Sequence, residues 1–346
     1  MTTQQAPIAK FLIVFAAFVI VVSGLKMASS LVVPFLLAVF IAMIVSPLLA
    51  WLKSRRVPGG IAIVLIISLI LSIGLILGAV IGASVDSFRQ DIPVYSAKLS
   101  LISESIQQSI AQNGIAIDAE QWQNSFDPSA VMRWVGSTLA SFGSVMTNSV
   151  LILLTVIFIL AENTRFGDKL RMARGDKSSQ AWLAELSTSI HGYLAIKSAI
   201  SAVTGLLIYV WLTILGVDYA VLWGLIAFLL NFVPTVGSFI AAVPAVLLAL
   251  VQLGVGSAGL TLLGFVVVNF LMGSAIEPRW MGKGLNLSPL VVFVSLVFWG
   301  WILGPVGMLL SIPLTIIVKI ALAANKDTQW ISVMLGDSES ALDNES

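Results

Sequence analysis

The chain has 346 residues, of which 58% are hydrophobic and only 10% are charged. About a quarter of the residues in a soluble domain are charged, so this chain cannot cover its surface with polar groups in water. Its net charge of +1 gives no electrostatic reason to expect a nucleic-acid partner. It has no cysteine and a single histidine, His191. This composition excludes disulfides, thiolate metal sites and histidine-rich metal sites.

Several apolar runs reach the roughly 20 residues that a helix needs to cross a bilayer. The runs are continuous, whereas the strands of a membrane barrel alternate between apolar and polar residues. We therefore predict an all-α polytopic membrane protein with about six full spans. The predicted spans are residues 11–25, 31–49, 61–83, 145–160, 195–215 and 259–272. Two broken, re-entrant helical hairpins bring the number of hydrophobic segments to about eight, and a small helical extracytoplasmic domain completes the fold.

The chain divides into four predicted regions. They are an N-terminal three-helix membrane region (1–85), an extracytoplasmic helical domain (86–143), a transport membrane region (144–326) and a cytoplasmic tail (327–346). The transport region contains a cytoplasmic loop at 162–191 and the broken hairpins at 219–253 and 290–322.

Clusters of basic residues predict which loops face the cytoplasm. Lys53, Arg55 and Arg56 follow the second span, and the loop at 162–191 carries five more cations between Arg165 and Lys177. Short loops rich in Lys and Arg stay on the cytoplasmic side. We therefore predict that both termini are cytoplasmic and that 86–143 lies outside.

The predicted outer domain is helical and small. Apolar residues recur at helical spacing from Leu99 to Ile110, and Asp127 followed by Pro128 is typical of a helix start. A region of this size does not bury a large core alone. We expect it to pack against a neighbour, and this favours a homo-oligomer.

Each broken hairpin has a tip that contains Pro and Gly. The first tip is 231–237 and the second is 301–307. Arms of about 14 to 17 residues would be roughly 21 to 25 Å long, which is short for a hydrocarbon core of about 30 Å. Both tips are followed by a further proline, Pro244 and Pro313, and the arms enter from opposite faces. This pattern is typical of inverted repeats whose discontinuous helices form a transport site.

Glu277, Pro278 and Arg279 stand together in this apolar half of the chain. One interpretation is a salt bridge that anchors a helix end. The other is a gate or coupling pair on the transport path, because ionisable groups near membrane depth are costly unless they are paired or functional. Pro278 between them predicts a bend.

Asn231 and Asn269 are amides in apolar surroundings, which predicts either interhelical hydrogen bonds or recognition of ligand hydroxyls. The residues that we assign to the substrate path or its gates are Asn231, Pro234, Gly237, Asn269, Glu277, Pro278, Arg279, Gly304, Pro305 and Gly307.

The sequence carries no motif of an enzyme or an ATPase. There is no phosphate-binding loop, no Gly-x-Ser-x-Gly motif and no His-Glu-x-x-His motif. We therefore predict no catalytic residue, no metal site and no cofactor. The expected partners are a small molecule, the lipid bilayer and further copies of the chain, with no ATPase subunit and no nucleic acid.

Several of these motifs together resemble a known family. They are Val33-Pro34-Phe35-Leu36, Asn231-Phe232-Val233-Pro234, Glu277-Pro278-Arg279, Phe298-Trp299-Gly300-Trp301 and Gly304-Pro305-Val306-Gly307. With them, nearly the whole chain resembles the autoinducer-2 exporter family of bacterial membrane proteins. The chain departs from the family pattern at Thr235 and Ser46, where relatives usually have Asn.

The resemblance implies a secondary transporter in the cytoplasmic membrane that exports the quorum-sensing signal autoinducer-2, a small polar uncharged furanone. An alternative within the same broad family is a sodium(cation)/proton antiporter, for which Glu277 is the strongest titratable candidate. A third hypothesis is a non-transporting scaffold that uses its outer domain to bind partners, although this leaves the broken helices unexplained.

Overall fold

The computed structural model describes residues 5–112, 130, 132–133, 135–137, 149–173, 177–234, 236–281, 287–324 and 328–336. Within these ranges every regular element is a helix, so the predicted all-α fold is confirmed. In chain order the helices are α1 (Gln5–Met27), α2 (Ser29–Ser54), α3 (Gly59–Gln112), α4 (Ser149–Ala173), α5 (Lys177–Leu215), α6 (Ala220–Leu230), α7 (Val236–Leu253), α8 (Val255–Asn269), a π-helical segment (Phe270–Ile276), α9 (Glu277–Met281), α10 (Pro289–Leu309), α11 (Ser311–Ala323) and α12 (Gln329–Met334).

Six helices in the described ranges are long and apolar enough to cross a membrane. They are Ser29–Ser54, Gly59–Gln108, Ile190–Leu215, Val236–Leu253, Val255–Trp280 and Pro289–Leu309. Four of them coincide with predicted full spans. The other two belong to the predicted hairpins: Val236–Leu253 is the second arm of the first hairpin, and Pro289–Leu309 contains the first arm of the second hairpin. The predicted spans 11–25 and 145–160 correspond to the shorter apolar helices Leu12–Met27 and Val150–Glu162.

Large apolar side chains cover the outer faces of these helices. Ile13, Ile20 and Leu75 are each more than two-thirds exposed, as is Val150. An apolar surface of this extent is stable against lipid and unfavourable in water. The chain is a multi-pass membrane protein.

Helix ends differ from the predicted boundaries at two places. α3 runs without a break from Gly59 to Gln112, through the predicted domain boundary at residue 86. In the predicted loop 162–191, α4 continues to Ala173 and α5 already begins at Lys177. Polar and charged residues such as Asp86 and Arg89 mark where a chain can leave the membrane, but they are compatible with a helix. The predicted helix start at Asp127 and the part of the predicted cytoplasmic tail after residue 336 lie outside the described residues.

The chain forms two compact units. The first is drawn from Met1–Ile63, Val150–Ala195 and Lys283–Ser346, and the second from Val64–Ser149 and Ile196–Gly282. Each unit contains one of the two broken hairpins.

In the second unit α7 packs between α6 and α8. Trp223 is completely buried at the centre of the core, with Leu222 and Ile226 beside it on the same helix. α5 and α6 approach closely at Gly205 and Gly224, where a Cβ atom on either residue would lie less than 3 Å from the other residue's carbonyl oxygen. Small residues at such crossings let the helix backbones pack directly against each other.

The polar half of α3 is attached to the turn between α5 and α6. The hydroxyl of Tyr95 donates a 2.8 Å hydrogen bond to Asp218, and the hydroxyl of Tyr219 donates to Asp91. Gln252 at the end of α7 accepts from the backbone N–H of Asp218 at 2.9 Å. Burial, together with the bond to Asp91, raises the pKa of Tyr219 and thus further favours the protonated phenol that donates this bond.

In the first unit α10 runs beside α1 in the same direction. Phe298 stacks on Phe18 with ring centroids 6.2 Å apart, and the ammonium of Lys26 lies 3.8 Å from the centre of the Trp301 ring. Ile302 is buried against the same end of α1. The tip of the second hairpin therefore packs against the C-terminal part of α1.

Candidate transport site

The first hairpin breaks where the sequence predicts it. α6 ends at Leu230, α7 begins at Val236, and Val233 N–H donates to the carbonyl of Leu230 at 2.8 Å in the turn between them. A Cβ atom on Gly237 would lie 1.9 Å from the Leu230 carbonyl oxygen. Only glycine allows the two arms to approach this closely.

A pocket of about 460 Å³ lies beside this tip, entirely within the second unit. Its volume is in the range of small-molecule sites. The pocket is lined by Lys197, Asn231, Val233, Pro234, Ser238, Phe239, Ala242, Leu262, Phe265, Val266, Asn269, Phe270, Gly273, Ser274 and Glu277. It brings together four residues that the sequence assigned to the substrate path, namely Asn231, Pro234, Asn269 and Glu277.

An ion pair forms the most polar part of the pocket. The ammonium of Lys197 lies 2.6 Å and 2.8 Å from the two carboxylate oxygens of Glu277. The Lys197 side chain is 5% exposed and that of Glu277 is 21% exposed. The hypothesis that Glu277 pairs with Arg279 is therefore wrong, because Arg279 points to an exposed surface and has no ion pair in the described residues.

Lys197 was missed as a site residue although the sequence contained a signal for it. Lys197 is the third residue of the predicted span 195–215. The nearest charged residues on either side in the sequence are Glu185 and Asp218, and both lie outside that span. A charge inside an apolar span requires a partner of opposite sign. Its partner Glu277 is 80 positions away in the sequence. Sequence proximity instead favours Arg279 as the partner, because Arg279 is two positions from Glu277.

The chain remains helical through Glu277-Pro278-Arg279. α8 continues as the π-helical segment Phe270–Ile276, and α9 follows directly, so Pro278 does not end the helical run. Proline has no N–H to donate to the residue four positions earlier and clashes with its carbonyl. A wider π turn before Pro278 accommodates this loss, and Glu277 N–H donates to Met272 five positions back.

The two amides in the pocket have different environments. The side-chain oxygen of Asn269 accepts a 2.6 Å hydrogen bond from Ser238, and its nitrogen donates to the Phe265 carbonyl at 2.8 Å. Asn231 donates from its nitrogen to the hydroxyl of Ser201 at 2.9 Å. Asn269 is therefore engaged at both ends and holds α7 against α8, whereas the oxygen of Asn231 has no hydrogen bond within the described residues.

The second hairpin turns at Gly304, which has φ 68° and ψ −152° and interrupts α10. Such a backbone conformation favours glycine over every other residue. After the turn, a Cβ atom on Gly307 would lie 2.0 Å from the Trp299 carbonyl oxygen. Thr315 joins the two arms, because it accepts from the Trp299 indole at 3.1 Å and donates to Ser295 at 2.8 Å.

The remaining predicted path residues lie outside the pocket. Gly237 is buried in the tip beneath it, and Pro278 and Arg279 are exposed. Gly304, Pro305 and Gly307 belong to the first unit. Their roles in transport remain predictions.

The family resemblance extends over the whole membrane region. A family model described as "AI-2E family transporter" matches residues 11–327. The chain belongs to the AI-2E transporter family. Its members are transport proteins, so the chain is a membrane transporter and not an enzyme.

Individual relatives cover nearly the full length. The chain is 39% identical to the AI-2 transport protein TqsA of Escherichia coli, over 95% of this chain and 96% of TqsA. It is 38% identical to a putative transport protein of Haemophilus influenzae, over 94% and 95% of the two chains. It is 33% identical to the putative transport protein YhhT of Escherichia coli, over 94% and 93%.

Proposed function

We propose that this transporter exports autoinducer-2 across the bacterial inner membrane. The observation that carries the proposal is the 39% identity to the AI-2 transport protein TqsA over 95% of the chain. Family membership fixes transport more firmly than it fixes the cargo. The cargo is therefore the part of the proposal that requires an experiment.

The pocket beside the first tip supports a small neutral cargo. Its only charged lining residues are Lys197 and Glu277, which compensate each other. A neutral ligand needs no further counter-charge in the membrane, whereas an ion would have to be compensated or would have to break this pair. The volume of about 460 Å³ suits a small ring compound.

The antiporter alternative gains no support. None of the relatives described above is named as an antiporter, and Glu277, its expected coupling carboxylate, is bound by the ammonium of Lys197. A titrating coupling site would have to release this partner in every cycle.

The proposal includes an orientation and an assembly. Both termini are cytoplasmic, the region 86–143 faces outward, and the protein acts as a homo-oligomer without an ATPase subunit. The basic residues at 53–56 support the orientation through the positive-inside rule.

The cargo is tested by measuring autoinducer-2 inside and outside cells. Deletion of the gene should raise the internal pool, and overexpression should lower it and raise the external pool. Overexpression of the wild-type protein is compared with overexpression of the Gly237→Ala variant. The variant should change the two pools less, because its added Cβ atom obstructs the tip of the first hairpin.

Equal membrane levels of the two proteins serve as the control for expression. If the signal distribution is the same in all strains while growth in alkaline salt medium depends on the gene, the proposed cargo is wrong.

A further inference from the structure

We infer that the carboxylate of Glu277, oriented by Lys197, is the hydroxyl acceptor of the pocket and selects a neutral ring ligand that carries several hydroxyl groups. The inference rests on the proposal that this pocket binds the cargo. It extends that proposal by assigning a recognition group and a substrate class.

The geometry of the ion pair leaves an acceptor facing the pocket. Lys197 binds both carboxylate oxygens, and each oxygen has a second lone-pair site. The Lys197 side chain is almost fully buried, whereas the Glu277 side chain keeps 21% of its surface accessible, and both residues line the pocket. Glu277 is therefore the more accessible member of the pair, and its carboxylate accepts hydrogen bonds and does not donate them.

Lys197 acts as a positioning residue. Its ammonium contacts both oxygens of Glu277, so it fixes the orientation of the carboxylate and compensates its charge. A fixed and compensated carboxylate forms charge-assisted hydrogen bonds with hydroxyl donors, which are stronger than bonds to a neutral acceptor.

The remaining lining adds a second acceptor and an apolar wall. The nitrogen of Asn231 donates to Ser201, and its side-chain oxygen has no hydrogen bond within the part of the chain that the structure describes. The pocket is also lined by Phe239, Phe265 and Phe270. Hydrogen-bond acceptors and apolar side chains in one pocket match a ring compound that carries hydroxyl groups as well as apolar carbon.

Charged ligands fit this site poorly. An anion would meet the accessible carboxylate, and the ammonium that could attract it is already bound to both oxygens. A cation would have to displace Lys197 from a buried position. Neutral compounds whose groups are all acceptors would place acceptor against acceptor at the carboxylate oxygens and gain no hydrogen bond there, which costs affinity.

The test measures ligand binding by calorimetry to the purified full-length chain in lipid nanodiscs. The probes are autoinducer-2, ribose, fully O-methylated ribose and inorganic phosphate. Wild-type protein should bind autoinducer-2, should bind ribose more weakly, and should show no measurable binding of the methylated sugar or phosphate. Glu277→Gln keeps the shape of the side chain and should weaken binding of autoinducer-2 and of ribose by about tenfold.

Matched controls are Glu104→Gln and Lys98→Met, which remove exposed charges on α3 from residues that do not line the pocket. Both should bind autoinducer-2 as the wild type does. Lys197→Met should also weaken binding, and Lys197→Arg should restore part of it. Variants are compared only when they elute as folded protein, and Glu277→Gln decides the question if Lys197→Met does not fold.

The outcomes separate this inference from the proposed function. If wild-type protein binds autoinducer-2 and Glu277→Gln binds it equally well, the recognition role is wrong and the cargo stands. If the wild type binds ribose in a Glu277-dependent manner but not autoinducer-2, the cargo is wrong and the recognition role stands. Binding of phosphate that improves in Glu277→Gln, or binding of no probe at all, overturns the inference.

Discussion

At the scale of single residues, Lys197 and Glu277 form a buried pair whose two members depend on each other. Removing one partner from a fully buried pair costs about 3–5 kcal/mol, because an uncompensated charge is left behind. Glu277 is 21% exposed, so we expect a loss near the lower end of that range for Lys197→Met. The double variant Lys197→Met with Glu277→Met should be more stable than either single variant, since it leaves no lone charge.

This prediction is checked by thermal unfolding of the purified variants in detergent, with Lys98→Met as the control for loss of an exposed lysine. The reversed pair, Lys197→Glu with Glu277→Lys, should recover part of the lost stability. A double variant that is as unstable as the sum of the two single variants would show that the residues do not stabilise each other.

At the scale of elements, the two hairpin tips share one packing arrangement. Gly237 faces the carbonyl of Leu230, and Gly307 faces the carbonyl of Trp299. In each case the other close neighbour is the side chain four positions earlier, Val233 or Leu303. This shared local geometry supports the predicted relation between the two hairpins, although each was predicted from Pro and Gly content alone.

Because a single Cβ atom already overlaps a backbone carbonyl at both tips, alanine should be sufficient to disturb them. We expect Gly237→Ala and Gly307→Ala each to cost about 1–3 kcal/mol, the usual penalty of an overpacked site. The arms must then separate, and transport should fall by roughly tenfold or more, the factor by which an increase of about 1.4 kcal/mol in the barrier of the transport cycle slows it.

The measurement is export of autoinducer-2 from cells that contain equal amounts of each variant in the membrane. Gly259→Ala is the matched control, because nothing lies within 4 Å of a Cβ atom at this position on α8. Normal export by both tip variants would mean that the arms can separate without loss of function.

The membrane spans and the breaks in the hairpins could be predicted from the sequence, because they depend on residues that are close together in the chain. Apolar runs located the spans, and Pro and Gly located both breaks, because proline lacks an N–H and Gly304 has a positive φ. Helix ends were less predictable, because polarity marks the membrane boundary while helices such as α3 continue beyond it. The ion pair of Glu277 was predicted with the wrong partner. Lys197 on α5 and Glu277 on α9 meet only in the folded structure, which the sequence does not reveal locally.

At the scale of the whole molecule, the length of α3 makes the predicted topology testable. Its 54 residues span roughly 80 Å at 1.5 Å per residue, and the hydrocarbon core is about 30 Å thick. A large part of the helix therefore projects from the membrane. The basic residues Lys53, Arg55 and Arg56 precede its start and predict that this end lies in the cytoplasm, so the projecting part should lie outside.

Cysteine labelling can test this orientation without background, because the chain contains no cysteine. Ser105 is exposed on the projecting part of α3, and Ser54 is exposed at the end of α2, before the basic turn. In intact spheroplasts a membrane-impermeant maleimide should label Ser105→Cys and should label Ser54→Cys only after permeabilisation, because charged reagents do not cross an intact bilayer. Labelling of Ser54→Cys alone in intact spheroplasts would reverse the assigned orientation and the direction in which each hairpin enters the membrane.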